Sequence, residues 1–361
     1  MGNQDTKVWP GLFATAALAI TALYIHKLPF APFTIDGRNP VDALLVAIVL
    51  GTLLRNTMPI SNSLTPGIKY SVKTLLPFAI VLMGAKLDFG YVVEVSQRAL
   101  WISILCVIVA YTLTVWLCVR LGVGQKLGIL IGIGTAICGG TAIAVSAPSI
   151  EADDSDTAFA ITTITIFGLI AIFIFPPLGH LLGLSQSEFG AWSGIAIQAT
   201  PQVMAAGFAY GQEAGEVAVI VKLVRVLLLA PMLLWLGIWY ARQKRARQEA
   251  YVARRTQLST LFPPFILGFI TLAIANSANL LPDFSVHLKE TAFWTEATVP
   301  LSMKTLVTQS SLFFVTMAMA GVGLGVHIKM LKRIGLKALY IGCFSAAVLA
   351  IFSLALIKLA G

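Results

Sequence analysis

The sequence predicts an all-α polytopic membrane protein of about eleven transmembrane helices. Inverted repeats with discontinuous helices, an N-terminus inside and a C-terminus outside complete that expectation. Three observations carry it. The chain is 58% hydrophobic and 11% charged, with mean hydropathy +0.87, which excludes a soluble enzyme of 361 residues. Apolar stretches long enough to cross a bilayer recur from end to end. Two of them are interrupted by glycines or by Thr-Pro at mid-depth.

In order, the stretches are 8–25, 41–55, 70–86, 99–121, 126–148, 157–183, 190–210, 216–240, 260–281, 303–327 and 336–359. The first follows Lys7 without a convincing cleavage signature, so it reads as a retained helix and not as a signal peptide. Residues 1–361 form a single integral membrane domain, with repeat-containing helices over about 41–359 and a basic cytoplasmic loop at 241–258. Cys106, Cys118, Cys138 and Cys343 fall in apolar stretches without metal-ligand spacing, and read as packing residues. No metal, cofactor or nucleic acid is expected.

The net charge of +9 is distributed as the positive-inside rule requires. With the segment ARQKRARQEAYVARR at 241–255 placed inside, the inner loops collect 16 Lys and Arg and the outer loops 7, leaving Lys222 and Arg225 of the 25. On that map EADDSD at 151–156, Glu213 and Glu216 lie outside, and Trp9, Trp101, Trp192, Trp239 and Trp294 sit near span ends as interfacial anchors.

An internal similarity joins VLMGAKLDFGYVVEVSQRALW at 81–101 to AMAGVGLGVHIKMLKRIGLKALY at 318–340, matching Gly84 with Gly321 and Leu87 with Leu324. The two copies end on opposite faces of the map, which is the sign of an inverted repeat. A weaker alignment, at a spacing of 62 residues, pairs Gly132-Ile133 with Gly194-Ile195 and Glu151-Ala152 with Glu213-Ala214. As full crossings these two stretches run parallel, which no inverted pair allows.

Lys222 and Arg225 are the candidate functional pair. They share one face of the apolar stretch 216–240, about 10 and 15 Å into a core about 30 Å thick. Each costs several kcal/mol there unless protein, water or an anion receives it. A structural ion pair with Glu216 or Asp156 is the plain alternative. The breaks lie at Cys138-Gly139-Gly140-Thr141, where Thr141 is a good N-cap, and at Thr200-Pro201, where Thr200 can cap and Pro201 begin a helix. A restarted half-helix aims free amides and a positive dipole end at the break, which suits an anion. Gln198, Gln202, Thr135 and Thr141 add neutral hydrogen bonds, and the candidate substrate-binding set is Lys222, Arg225, Gly139, Gly140, Thr141, Gln198, Thr200 and Gln202. The plain alternative is close packing of small residues.

On LMGAKLDF at 82–89, GTAICGGTAIAVSAP at 134–148, QATPQVMAAG at 198–207 and VKLVRVLLLAP at 221–231, the chain resembles the YeiH-like bacterial inner-membrane proteins, commonly labelled sulfate exporters. The resemblance implies a clan of inverted-repeat transporters that includes sodium/proton antiporters and bile acid symporters. It places the protein in the bacterial inner membrane, and a homodimer would be in keeping with the clan. The lack of buried carboxylates disfavours cation exchange, and the lack of a Walker motif argues against an ATP-driven pump. It fits a secondary transporter of a small anion such as sulfate, sulfite or an organic sulfonate or carboxylate, exported by alternating access. An anion channel and a sodium/proton-type antiporter remain the alternatives. His180 and His327 are candidate proton carriers, membrane lipid is the other partner, and no residue identifies a coupling ion. A membrane enzyme using His180 or His287 lacks a nucleophile or metal-ligand spacing.

Overall fold

The computed structural model describes residues 8–28, 42–246, 263–281, 283–288, 297–326 and 336–360. Fifteen α-helices and one two-stranded ribbon occupy them. The chain divides into two compact units. The first comprises 1–39, 46–94 and 264–326, and the second 40–45, 95–263 and 327–361.

The first unit holds α1 (Val8–Ile25), α2 (Ala43–Thr57, from Val46), α3 (Thr65–Tyr70), α4 (Leu76–Met83) and the start of α5 (Phe89–Arg120). A π-helical turn at Ser71–Leu75 joins α3 to α4, and a tighter turn at Gly84–Lys86 follows α4. The unit also holds α13 (Pro264–Ser277) and α14 (Met303–Gly325). An antiparallel ribbon of β1 (Asp283–Leu288) and β2 (Ala297–Ser302), with Val286 opposite Val299, is a small addition to an otherwise all-helical fold. The polar run Thr308–Ser311 lies within continuous α14, where the Ser311 hydroxyl donates to Ala79 O at 2.7 Å.

The second unit holds the rest of α5 with α6 (Gln125–Ala136), α7 (Gly140–Ser146), α8 (Asp154–Leu181), α9 (Gln186–Ala196) and α10 (Thr200–Tyr210). It also holds α11 (Gln212–Leu227), α12 (Leu229–Ala246) and α15 (Leu336–Ala360). The predicted helix at 216–240 is two helices meeting at Leu228. Pro231, in the first turn of α12, has no N–H to continue the ladder.

Two predicted crossings are not crossings. A continuous helix would carry Glu151 about 38 Å from Lys126. Instead Lys126 Nζ donates to Glu151 O at 2.6 Å, so α6 and α7 form a hairpin that enters and leaves on one face. The second broken stretch folds back in the same way. Tyr210 Oη donates to Leu184 O, and Gln186 Oε1 accepts from Glu213 N at 3.1 Å. Since α8 runs from the base of one hairpin to the base of the other, the hairpins enter the second unit from opposite faces. The expected eleven crossings lose these two. Among the described residues seven continuous segments are long and apolar enough to cross a bilayer, with α2 and α13 shorter.

The hairpins also move the acidic cluster. Glu151 pairs with Lys244 at 2.5 Å, so 151–156 shares a face with the basic end of α12 and not the opposite face. At the other face the Lys358 ammonium holds the Glu188 carboxyl down at about 2, with help from Ser185. Because 149–156 and 183–189 carry no Lys or Arg, the cation asymmetry is unchanged. Trp192 is buried and donates to Ala350 O at 2.8 Å, so it is a packing residue and not an interfacial anchor.

The two copies of the 81–101 and 318–340 repeat place counterpart helices side by side. In the first unit Ala79 of α4 meets Ser311 of α14, and Ser71 meets Gly321. In the second, Thr114 of α5 bonds Ser345 of α15 at 2.8 Å, and Lys337 bonds Leu121 O at 3.1 Å. Both pairs run antiparallel. Residues 327–335, within the second copy, and 247–258 of the basic loop lie outside the described residues.

Single cysteines at Ser155 and Arg245 are expected to react with an impermeant thiol reagent from the same side of the membrane, and one at Ser187 from the opposite side. Eleven full crossings would put Ser187 with Arg245 and Ser155 opposite, so labelling in oriented vesicles separates the two topologies.

Candidate functional site

The hairpin tips are residues 137–139 and 197–199, and they meet. A Cβ built on Gly139 would lie 3.6 Å from both Gln198 C and Ala199 N. At both tips the first arm ends, and the second begins, at a spacing of 60 residues: Ala136 with Ala196, and Gly140 with Thr200. The spacing of 62 from the sequence is thus corrected by two at the tips.

Local chemistry makes each turn differently from the expected threonine caps. Gly139 caps α7 at φ 68° and ψ −127°, a conformation open in practice to glycine alone, and Thr141 lies inside the helix. Ala199 caps α10, with Thr200 as its first residue. Here Gln202 Oε1 accepts from Ala199 N at 3.3 Å while its Nε2 donates to Thr165 O at 3.0 Å. The amide of Gln202 is therefore engaged in the fold, in space left by Gly168, where a Cβ would stand 1.7 Å from Oε1.

Lys222 and Arg225 lie about 15 and 20 Å along α11 from its start and are 0% exposed. Lys222 Nζ donates to Ile137 O at 3.0 Å and to Ile197 O at 2.9 Å, the equivalent carbonyls of the two tips. Arg225 Nη2 donates to Thr135 O at 2.9 Å and also to Ala136 O, and Nε donates to Ala136 O at 3.2 Å. Their partners are main-chain oxygens, which replaces the carboxylate partners Glu216 and Asp156 considered from the sequence. Arg225 Nη1, Thr135 Oγ1 and Gln198 Oε1 are buried with no hydrogen-bond partner.

The cations therefore sit at the negative, C-terminal ends of α6 and α9. Each such end carries about half an elementary charge, so two cations exceed two ends by about one positive charge. The starts of α7 and α10 add positive ends at the same level. Of the eight candidate residues, Lys222, Arg225, Gly139 and Gln198 converge on the enclosed tips. Gly140 and Thr200 are half-buried beside them, and Thr141 is exposed. The sequence missed the carbonyls of Ile137 and Ile197, which no side-chain pattern marks. Among the described residues no group of His, Cys, Asp and Glu could hold a metal. His180 stacks on Tyr210 at 4.2 Å at the base of the second hairpin, far from the tips, while the side chain of His287 and all of His327 lie outside the described residues.

A family model described as conserved hypothetical protein 698 matches residues 10–342. The chain belongs to this YeiH-like family. Similar members carry the name UPF0324 membrane protein. That of Yersinia pestis is 34% identical over 346 residues, covering 92% of this chain and 88% of its own. Those of Pseudomonas aeruginosa and Agrobacterium fabrum are 33% and 32% identical, over 93% and 97% of this chain and 90% and 92% of theirs. With its apolar helices, this makes the chain a multi-pass membrane protein of the UPF0324 family. None of the three names states a substrate.

Replacing Gly139 by Ala forces a side chain into that backbone and sets a Cβ 3.3 Å from Ile164 Cγ2. A loss of about 1–3 kcal/mol is expected, read as a lower thermal midpoint in detergent. Gly140→Ala, whose Cβ would meet Ile161 at an ordinary 3.7 Å, should change it little. Equal effects would mean that the tip is not held in the glycine conformation.

Proposed function

We propose that this protein is a secondary transporter of small anions in the bacterial inner membrane, with sulfate, sulfite and organic sulfonates or carboxylates as the substrate class, and that it exports by alternating access. One observation carries the reading: two cations meet at the tips of opposed hairpins with only carbonyls as partners, leaving the positive excess described above. In a site shut off from water such an excess favours an anion strongly. A cation exchanger would need a carboxylate there, and none of the described carboxylates bonds to either cation.

The hairpins supply the two gates. Each enters from one face, so withdrawing one tip opens the site to that face while the other tip keeps it closed. Lys222 holds both tips at once and Arg225 holds the first, which ties occupancy of the site to the position of the gates. With the basic segment 241–255 cytoplasmic, the first hairpin is the inner gate, the second the outer, and the N-terminus lies inside.

Proteoliposomes containing the wild type should show saturable sulfate uptake that is accelerated by sulfate inside. Arg225→Ala, which loses charged hydrogen bonds of about 1.5–3 kcal/mol, should slow it by at least tenfold while the protein stays monodisperse. Flux that neither saturates nor responds to internal anion would indicate a channel. Undiminished exchange by the variant would remove Arg225 from the site.

A further inference from the structure

Lys222 is a titratable group whose two structural bonds do not need its charge. An ammonium offers three N–H donors and a neutral amine two. Ile137 O and Ile197 O take two. The clasp between the hairpins therefore survives loss of one proton, and the third N–H is the one that appears when the proton returns.

We propose that Lys222 is the coupling group of the transporter: it takes one proton from water as the anion binds and releases it as the anion leaves, so that anion and proton move together. This rests on the anion-transport reading above. The step balances simply, since the amine and one proton give the ammonium, whose new N–H faces the anion. An isolated ammonium at this depth is costly by several kcal/mol, and a bound anion supplies the counter-charge it lacks, so the excess of about one positive charge is that of the protonated form which holds the anion.

Among the described residues, few charged or titratable groups face Lys222. On its own helix the charged neighbour is Arg225, one turn away, which stays protonated. From the first hairpin the titratable neighbour is the Cys138 thiol, and Cys106 of α5 faces Arg225. The elements α9, α10 and α12 pack against α11. Near the tips α9 and α10 present neutral groups, Gln198 between them and Gln202 in the first turn of α10, and α12 begins with the apolar Leu229 and Ala230. Binding free energy must then be shared between the two ligands: each raises the affinity for the other by the same factor.

The test is calorimetric titration of the purified full chain with sulfate and with methanesulfonate, both of fixed charge near neutral pH, in pairs of buffers with different ionisation enthalpies. Uptake of about one proton per anion is expected above neutrality, with affinity falling about tenfold per unit rise in pH. Lys222→Arg, permanently charged, should bind the anion without proton uptake, and Cys138→Ser should keep the uptake. Should the Lys222 variant fail to fold, the wild type and Cys138→Ser decide alone. Anion binding with no proton uptake, or uptake lost in Cys138→Ser, overturns the assignment and leaves anion transport standing. No binding of either anion overturns both.

Discussion

Two hydrogen bonds from Lys222, to Ile137 O and Ile197 O, hold the second unit in its present form. The hairpins enter from opposite faces, and their tips are stretches of backbone where helical bonding has stopped. A carbonyl left unpaired there costs about 1–3 kcal/mol. One flexible cation on a third element satisfies the same carbonyl at both tips, and Arg225 does the same for the end of α6. The pair that looks anomalous in the sequence is thus the means by which two broken elements end inside a membrane protein. Because the negative dipole ends offset only part of its charge, the same arrangement leaves an electropositive centre.

The two modules, α6 to α8 and α9 to α11, share a plan but not a charge. In the first, α8 packs on its hairpin and carries Thr163 and Thr165 along the middle. In the second, α11 carries Lys222 and Arg225. One crossing helix therefore serves both tips. Two hairpins of one plan meet at their tips, and a difference at a few positions on one helix places both cations on α11.

Much of this could be read from the sequence, and the part that could not has a definite cause. Lys222 and Arg225 stand out because a charge at depth demands an explanation. The breaks stand out because Gly139-Gly140 and Pro201 weaken or redirect helices. What remained hidden was whether an interrupted apolar run crosses or turns back. About 24 apolar residues serve equally for one crossing or for two arms of half depth, and only a contact such as Lys126 with Glu151 tells them apart. The clue was a conflict, since two stretches that align with each other ran parallel when treated as crossings. Hairpins remove it. The threonine caps failed for a more local reason: the turn at Gly139 depends on its backbone conformation, and the turn at Ala199 on a glutamine three residues later.

The most direct test of an anion site at the tips is diffraction from crystals grown with selenate, an isostere of sulfate that can be located by its anomalous signal. A selenium peak within hydrogen-bond reach of Arg225 Nη1 and the Lys222 ammonium is expected. A peak elsewhere, or none while Lys222 and Arg225 still hold the tip carbonyls, would mean that the pair is structural and that the anion, if there is one, passes by another route.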